Sequence, residues 1–189
     1  MQNLERGSLS LEGHYQNGYV THHLDRAVAL VEGRYGLTGW TWFDANVSVT
    51  TQAGPMAMHV RIASAWAGGL HIEIVEPLGG ADGHYRALLP ADPEDPTPRL
   101  HHLALRGEDL PAMRFELAAS GLPMAFSGES PAMVFAYMDA RASLGHYLEF
   151  VWKAPGDWEK IGWPEGRPLL KLVLKRVSAT GRPGISERA

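Results

Sequence analysis

Ile72-Glu73-Ile74-Val75 and Leu148-Glu149-Phe150-Val151 are one strand pattern written twice in the same chain. Each closes a run of elements that reads in the same order. In the first run Gln16–Thr21 reads as a strand. Asp25–Glu32 follows as a helix, with Ala27, Leu30 and Val31 at helical spacing and Asp25 in the first turn, where the helix dipole favours a carboxylate. Gly33 and Gly36 mark its end. Thr38–Phe43, Met58–Trp66 and Leu70–Val75 read as strands, the last two joined by the hairpin signal Ala67-Gly68-Gly69. In the second run Leu100–Leu105 is strand-like. Asp109–Ser120 is helix-like and ends at Gly121, and Pro123–Phe126, Ala132–Met138 and His146–Trp152 complete the set. Each half is βαβββ, and such a duplication predicts two similar modules packed together. The expected class is α+β, with tandem modules forming a curved, open, mixed sheet around a cavity.

The boundaries follow from composition. Module one spans 14–80 and module two spans 100–152. Between them, 81–99 is a connection, marked by Pro93, Pro96 and Pro98, with a short helix expected near Tyr85–Leu89. Residues 153–189 form a C-terminal extension. Ser8–Leu11 and Leu170–Lys175 alternate as edge strands do, and Thr180–Ala189 reads as disordered. These end strands offer an interface, and a homodimer is expected.

The chain has 9 histidines and no cysteine, so disulfides and thiolate metal sites are excluded and any metal must be held by nitrogen and oxygen. Net charge is −4 and the basic residues are scattered, which argues against nucleic acid or an anionic membrane as the partner. No stretch is long and apolar enough to cross a bilayer, and the N-terminal residues lack a secretory pattern, so a cytoplasmic location is expected.

Two positions break the apolar runs. Glu73 sits between Ile72 and Ile74, and Glu149 between Leu148 and Phe150. A carboxylate inside such a strand must be exposed, paired or metal-bound, and its recurrence at the same place in both halves favours a shared purpose. By strand alternation His71 shares a face with Glu73, and Tyr147 shares one with Glu149. His71 is a candidate general base or support for a ligand. His101 and His102 have opposite parity, so only one should face the cavity. His22 and His23 precede a helix and read as solvated or capping. Trp40, Trp42, Phe43 and Trp66 read as core and cavity wall.

Taken together, the βαβββ duplication and its local motifs resemble the vicinal oxygen chelate superfamily, which includes glyoxalase, methylmalonyl-CoA epimerase, extradiol dioxygenases and bleomycin-resistance proteins. The resemblance covers roughly residues 14–152. Gln16 through His23-Leu24-Asp25-Arg26-Ala27 resembles the opening of a family module, with Gln where His is frequent. Leu100-His101-His102-Leu103-Ala104 looks like the epimerase motif, in which the second histidine is the ligand. Tyr147-Leu148-Glu149-Phe150 and Ile72-Glu73-Ile74-Val75-Glu76-Pro77-Leu78 resemble the closing strands. The resemblance implies one divalent metal per chain, held by Gln16, Glu73, His102 and Glu149, with His14 as the substitute for Gln16. Zinc, nickel, cobalt or manganese would suit this set, or iron in a dioxygenase. It also implies a metal-dependent isomerase, epimerase or lyase acting next to a carbonyl through a metal-stabilised enolate, with Glu149 as base and Glu73 second. The alternatives are an extradiol-type dioxygenase, from whose two-histidine, one-carboxylate triad Gln16 and Glu73 depart, and a metal-free binder of the bleomycin-resistance kind. The tryptophans and the lack of a basic cluster point to an apolar or aromatic small molecule rather than a polyphosphate.

Overall fold

A computed structural model describes residues 9–162. Module one contains β1 (His14–Val20), α1 (Leu24–Tyr35), β2 (Thr41–Thr51), β3 (Gly54–Ala67) and β4 (Leu70–Gly80). The connection holds the one-turn helix α2 (Gly83–Arg86). Module two contains β5 (Arg99–Gly107), α3 (Leu110–Ala119), β6 (Met124–Glu129), β7 (Met133–Asp139), the short α4 (Arg141–Leu144) and β8 (Tyr147–Lys153).

The helices form for local reasons and then dock. Leu24, Ala27 and Val28 place one apolar stripe of α1 on Ala63 and Ile74 of the sheet. The helix runs through Gly33 and stops at Gly36, whose φ of 68° gives a left-handed cap. At the start of α3 the Asp109 carboxylate accepts the Ala112 N–H at 2.7 Å. Met113 then buries against Leu105, Leu148 and Phe150.

Each half orders its strands alike, β1-β4-β3-β2 and β5-β8-β7-β6. The halves meet where β1 pairs antiparallel with β5. The expected open curve closes into a barrel, because β2 is longer than expected and its far end reaches β6. That seam is slender: Thr50 and Thr51 pair with Ser127 and Phe126, while from Thr41 to Val49 the outer edge of β2 pairs with no strand among the described residues. α2 plugs one end of the barrel with Tyr85. At the other end residues 154–162 fold over the rim, where Trp158 is buried against Tyr15.

The N-terminal alternation does not make an edge strand. Leu9–Leu11 lie outside any strand, since both edges of β1 are already taken by β4 and β5, and Leu9 packs near α3 instead. Leu170–Lys175 and Thr180–Ala189 lie outside the described residues. No helix among those described is long and apolar enough to cross a membrane.

Candidate functional site

Two β-bulges set the site. On β1 the register slips between His14 and Gln16, so that Tyr15 and Gln16 both turn inward. On β5 it slips opposite Gly18 and Tyr19, leaving His101 as the extra residue. Strict alternation would send His101 and His102 to opposite faces. The bulge instead buries both, at 0% exposure, with their Nδ1 atoms 3.0 Å apart. His101 lies between Tyr85 and Tyr147, with ring centroids 4.4 and 4.8 Å away.

The His102 ring rests over Gly18, its register partner. A Cβ at Gly18 would fall 1.8 Å from Cε1 and 2.2 Å from Nε2 of that ring, so the absence of a side chain there makes the berth. Around His102 Nε2 three side chains converge. Glu149 Oε2 stands at 3.3 Å, Glu73 Oε2 at 3.6 Å and Gln16 Nε2 at 3.3 Å. His71 Nδ1 donates to Gln16 Oε1 at 2.8 Å.

The same register serves both halves. Gln16 pairs with His71, two residues before Glu73, and His102 pairs with Tyr147, two residues before Glu149. The four residues expected from the sequence are therefore brought together. His71 stands beside them. His14 is not: the bulge at Tyr15 turns it outward, to Asn17 Oδ1 at 2.8 Å. Tyr147 is 2% exposed and packs against His101, so it belongs to the core. His22 bonds the Pro90 carbonyl at 2.9 Å, far from this centre in the fold. Phe43 and Trp66 line the cavity and Trp40 packs on the α1 cluster, but Trp42, one step out of phase with Phe43 on β2, does not line it.

The centre sits in the wall of a cavity of about 600 Å³ whose other walls are mostly apolar, among them Phe43, Met58, Trp66, Phe126 and Phe135. Tyr85 and Tyr137 also line it, with hydroxyls 3.4 Å apart. Sequence reasoning missed both tyrosines, and Gly18 too. Tyr137 pairs with Glu149 across β7 and β8 and could have been found by phase. Burial pushes the Glu73 carboxyl up to about 7, with His102 opposing and the Glu149 charge adding to the rise. Burial also pushes the His71 imidazole down to about 4.

An imidazole lone pair and two carboxylates packed this closely call for a positive occupant, a proton or a metal ion. Among the described residues no three His, Asp or Glu side chains are opened around a common point as finished metal ligands are. The carboxylates lean on His102 instead. The chemistry of the set nonetheless fits a dication. Ligands about 2.1 Å from a metal stand roughly 3.0–3.4 Å from one another, close to the spacings seen here. The Gln16 amide reaches the same point, and a half-turn would exchange its oxygen and nitrogen while His71 Nδ1 serves as acceptor instead of donor.

Comparison with known proteins gives a family and a fold. A family model described as the Glyoxalase/Bleomycin resistance protein/Dioxygenase superfamily matches residues 15–137. Among solved structures, a variant of Streptomyces coelicolor methylmalonyl-CoA epimerase in complex with 2-nitronate-propionyl-CoA is 17% identical, with a TM-score of 0.50 over 77% of this chain and 99% of that one. A methylmalonyl-CoA epimerase in complex with methylmalonyl-CoA and NH4+ is 18% identical, with a TM-score of 0.50 over 77% of this chain and 97% of that one. At such identity the likeness is one of fold. No curated protein matches the chain.

Proposed function

This chain belongs to the Glyoxalase/Bleomycin resistance protein/Dioxygenase superfamily, and from that premise we propose that it is a metal-dependent isomerase, epimerase or lyase that moves a proton next to a carbonyl of a small organic substrate. One observation carries the reading. Glu73, Glu149 and Gln16 converge on His102 Nε2 in the wall of a cavity that is otherwise largely apolar. Gln16, Glu73, His102 and Glu149 would hold the metal, for which zinc, nickel, cobalt or manganese are suitable. When bound, it supplies Lewis-acid polarisation of the substrate carbonyl.

The chain's own groups do the rest. Glu149 lines the cavity and takes the proton from the carbon beside the carbonyl. Glu73 also lines the cavity, hydrogen-bonded to Gln16, and is the second candidate base. His71 is a positioning residue: its Nδ1 is committed to Gln16, and burial keeps it neutral near pH 7. The apolar walls exclude water from the anion that remains. They also suit an apolar or aromatic substrate body; the coenzyme A esters in the similar structures stay with those proteins. The ligand set departs from the two-histidine, one-carboxylate set of a ring-cleaving dioxygenase, because Gln16 and Glu73 stand beside His102 while the second buried imidazole, His101, does not line the cavity.

The test is exchange of the α-hydrogen with deuterium oxide, using α-hydroxycarbonyl, dicarbonyl and α-stereogenic carbonyl compounds with zinc, nickel or cobalt under nitrogen. Exchange is expected, and Glu149→Gln should lower its rate about 10²–10⁴-fold. Strict dependence on oxygen would replace this reading by the dioxygenase one. Failure to bind metal or turn over any compound would replace it by a binding protein.

A further inference from the structure

Lys153 places a cation in the cavity wall. It lines the same cavity as Glu149, four residues further along β8 and so on the same face. That separation is roughly 13 Å between backbone positions at the usual rise, but the side chain is long, and the charges of Glu149, Asp157 and Glu73 all act on its ammonium. Its register partner is Met133, and its Nζ meets the Met133 sulfur at 3.3 Å. The Trp158 ring lies 5.8 Å away. Among the described residues no carboxylate comes within 4.0 Å of that ammonium, whereas Lys160, nearer the surface, is paired with Asp157.

The neighbourhood of Lys153 is apolar and aromatic: Val151, Met133, Phe135, Trp66 and Trp158 form the rim of the barrel. Burial there lowers the affinity of Lys153 for its proton. A half-buried ammonium against thioether and ring edges is poorly solvated, and an anion placed on it gains more than it would at a wet surface. The opposite charges of Glu73 and Glu149 face the same space. The cavity wall therefore carries two carboxylates and an ammonium that they influence but with which, among the described residues, none pairs directly. Such a field orients an elongated molecule: its neutral carbonyl end goes to the glutamates and its anionic end to the lysine.

We propose that Lys153 is a specificity-determining residue that binds a carboxylate at the far end of the substrate. On this view the substrates are acids with an apolar or aromatic body and a carbonyl remote from the carboxylate. The proposal rests on the cavity assigned above as the substrate site, but not on a metal or on turnover.

The test uses the full chain without added metal and follows quenching of tryptophan fluorescence, since Trp66 and Trp158 border the rim. The probes are 3-(4-acetylphenyl)propanoate and its uncharged amide. The wild type is expected to bind the acid at least about tenfold more tightly than the amide, a difference of about 1.4 kcal/mol. Lys153→Met should erase that preference while leaving amide affinity within about twofold, which also shows the variant to be folded. Lys153→Arg should keep most of it. Equal binding of acid and amide by the wild type, survival of the preference in Lys153→Met, or no binding of either probe would overturn the assignment. A protein that shows this preference but no proton exchange would end the enzymatic reading and leave the role of Lys153 standing.

Discussion

At the scale of single residues, the candidate site depends as much on a missing side chain as on those present. Gly18 is buried, and the His102 imidazole occupies the volume its Cβ would fill. Gly18→Ala should displace that ring, cost about 1–3 kcal/mol of stability as overpacking does, and weaken metal binding about 10–100-fold. Thermal unfolding and a zinc titration check the two parts; unchanged zinc affinity would show that His102 does not use this berth. The two glutamates were legible in the sequence, because a charge inside an apolar strand is conspicuous and here it occurs twice. The inward turn of both His101 and His102 was not. Alternation assumes an unbroken ladder, and nothing in Leu100-His101-His102-Leu103 announces a bulge. The same blindness made His14 a candidate, although one slipped register at Tyr15 removes it from the site.

Among the elements, α2 has a function that its four residues conceal. It carries Tyr85 and His84 into one end of the barrel, and His84 packs on Phe126 with ring centroids 3.9 Å apart. Burial pushes the His84 imidazole down to about 3 and that of His71 down to about 4, so the fold keeps both neutral. An unfolded chain takes up those protons below its ordinary value near 6.5. Their stabilising contribution is therefore complete above pH 6.5 and falls away toward pH 4 for His71 and pH 3 for His84. Glu73 opposes this trend: its raised pKa penalises the fold as pH climbs from 4.5 to about 7. In metal-free protein, His84→Phe should flatten the decline of the melting temperature between pH 6.5 and 4, and melts at several pH values check it. An unchanged slope would mean that His84 titrates freely in the fold. Most elements could be read in advance because their hydrophobic periods are clear. The long β2–β3 hairpin was read short: Asp44–Ala57 mixes Asp, Asn, Ser and Thr into a ribbon whose burial comes from closing the barrel. That closure is a tertiary event which no local window contains.

For the whole molecule, the candidate ligands divide evenly between the halves, Gln16 and Glu73 from the first and His102 and Glu149 from the second. A metal bound there would tie module to module. Zinc at a hundred times its dissociation constant should therefore stabilise the chain by about 2.7 kcal/mol, and a chelator should reverse the gain. A melting temperature indifferent to both would exclude the shared centre. The homodimer expected from the sequence can be checked by sedimentation at micromolar concentration, where a single-chain mass would refute it; among the described residues, the outer edge of β2 from Thr41 to Val49 pairs with no strand and could receive one from a second copy.

The matched registers of the two halves have one more consequence. Each half offers a closing glutamate and, two residues earlier, a neighbour paired with the opening strand, yet the copies have diverged. One opening strand carries an amide and the other an imidazole; one neighbour is His71, which steadies the amide, and the other is Tyr147, which serves packing. A centre with like halves would present the same groups to both sides of a flat carbanion, and a proton could return to either. Unlike halves tell those sides apart. On the proposed reading, these differences between the two halves would help set the handedness of the product.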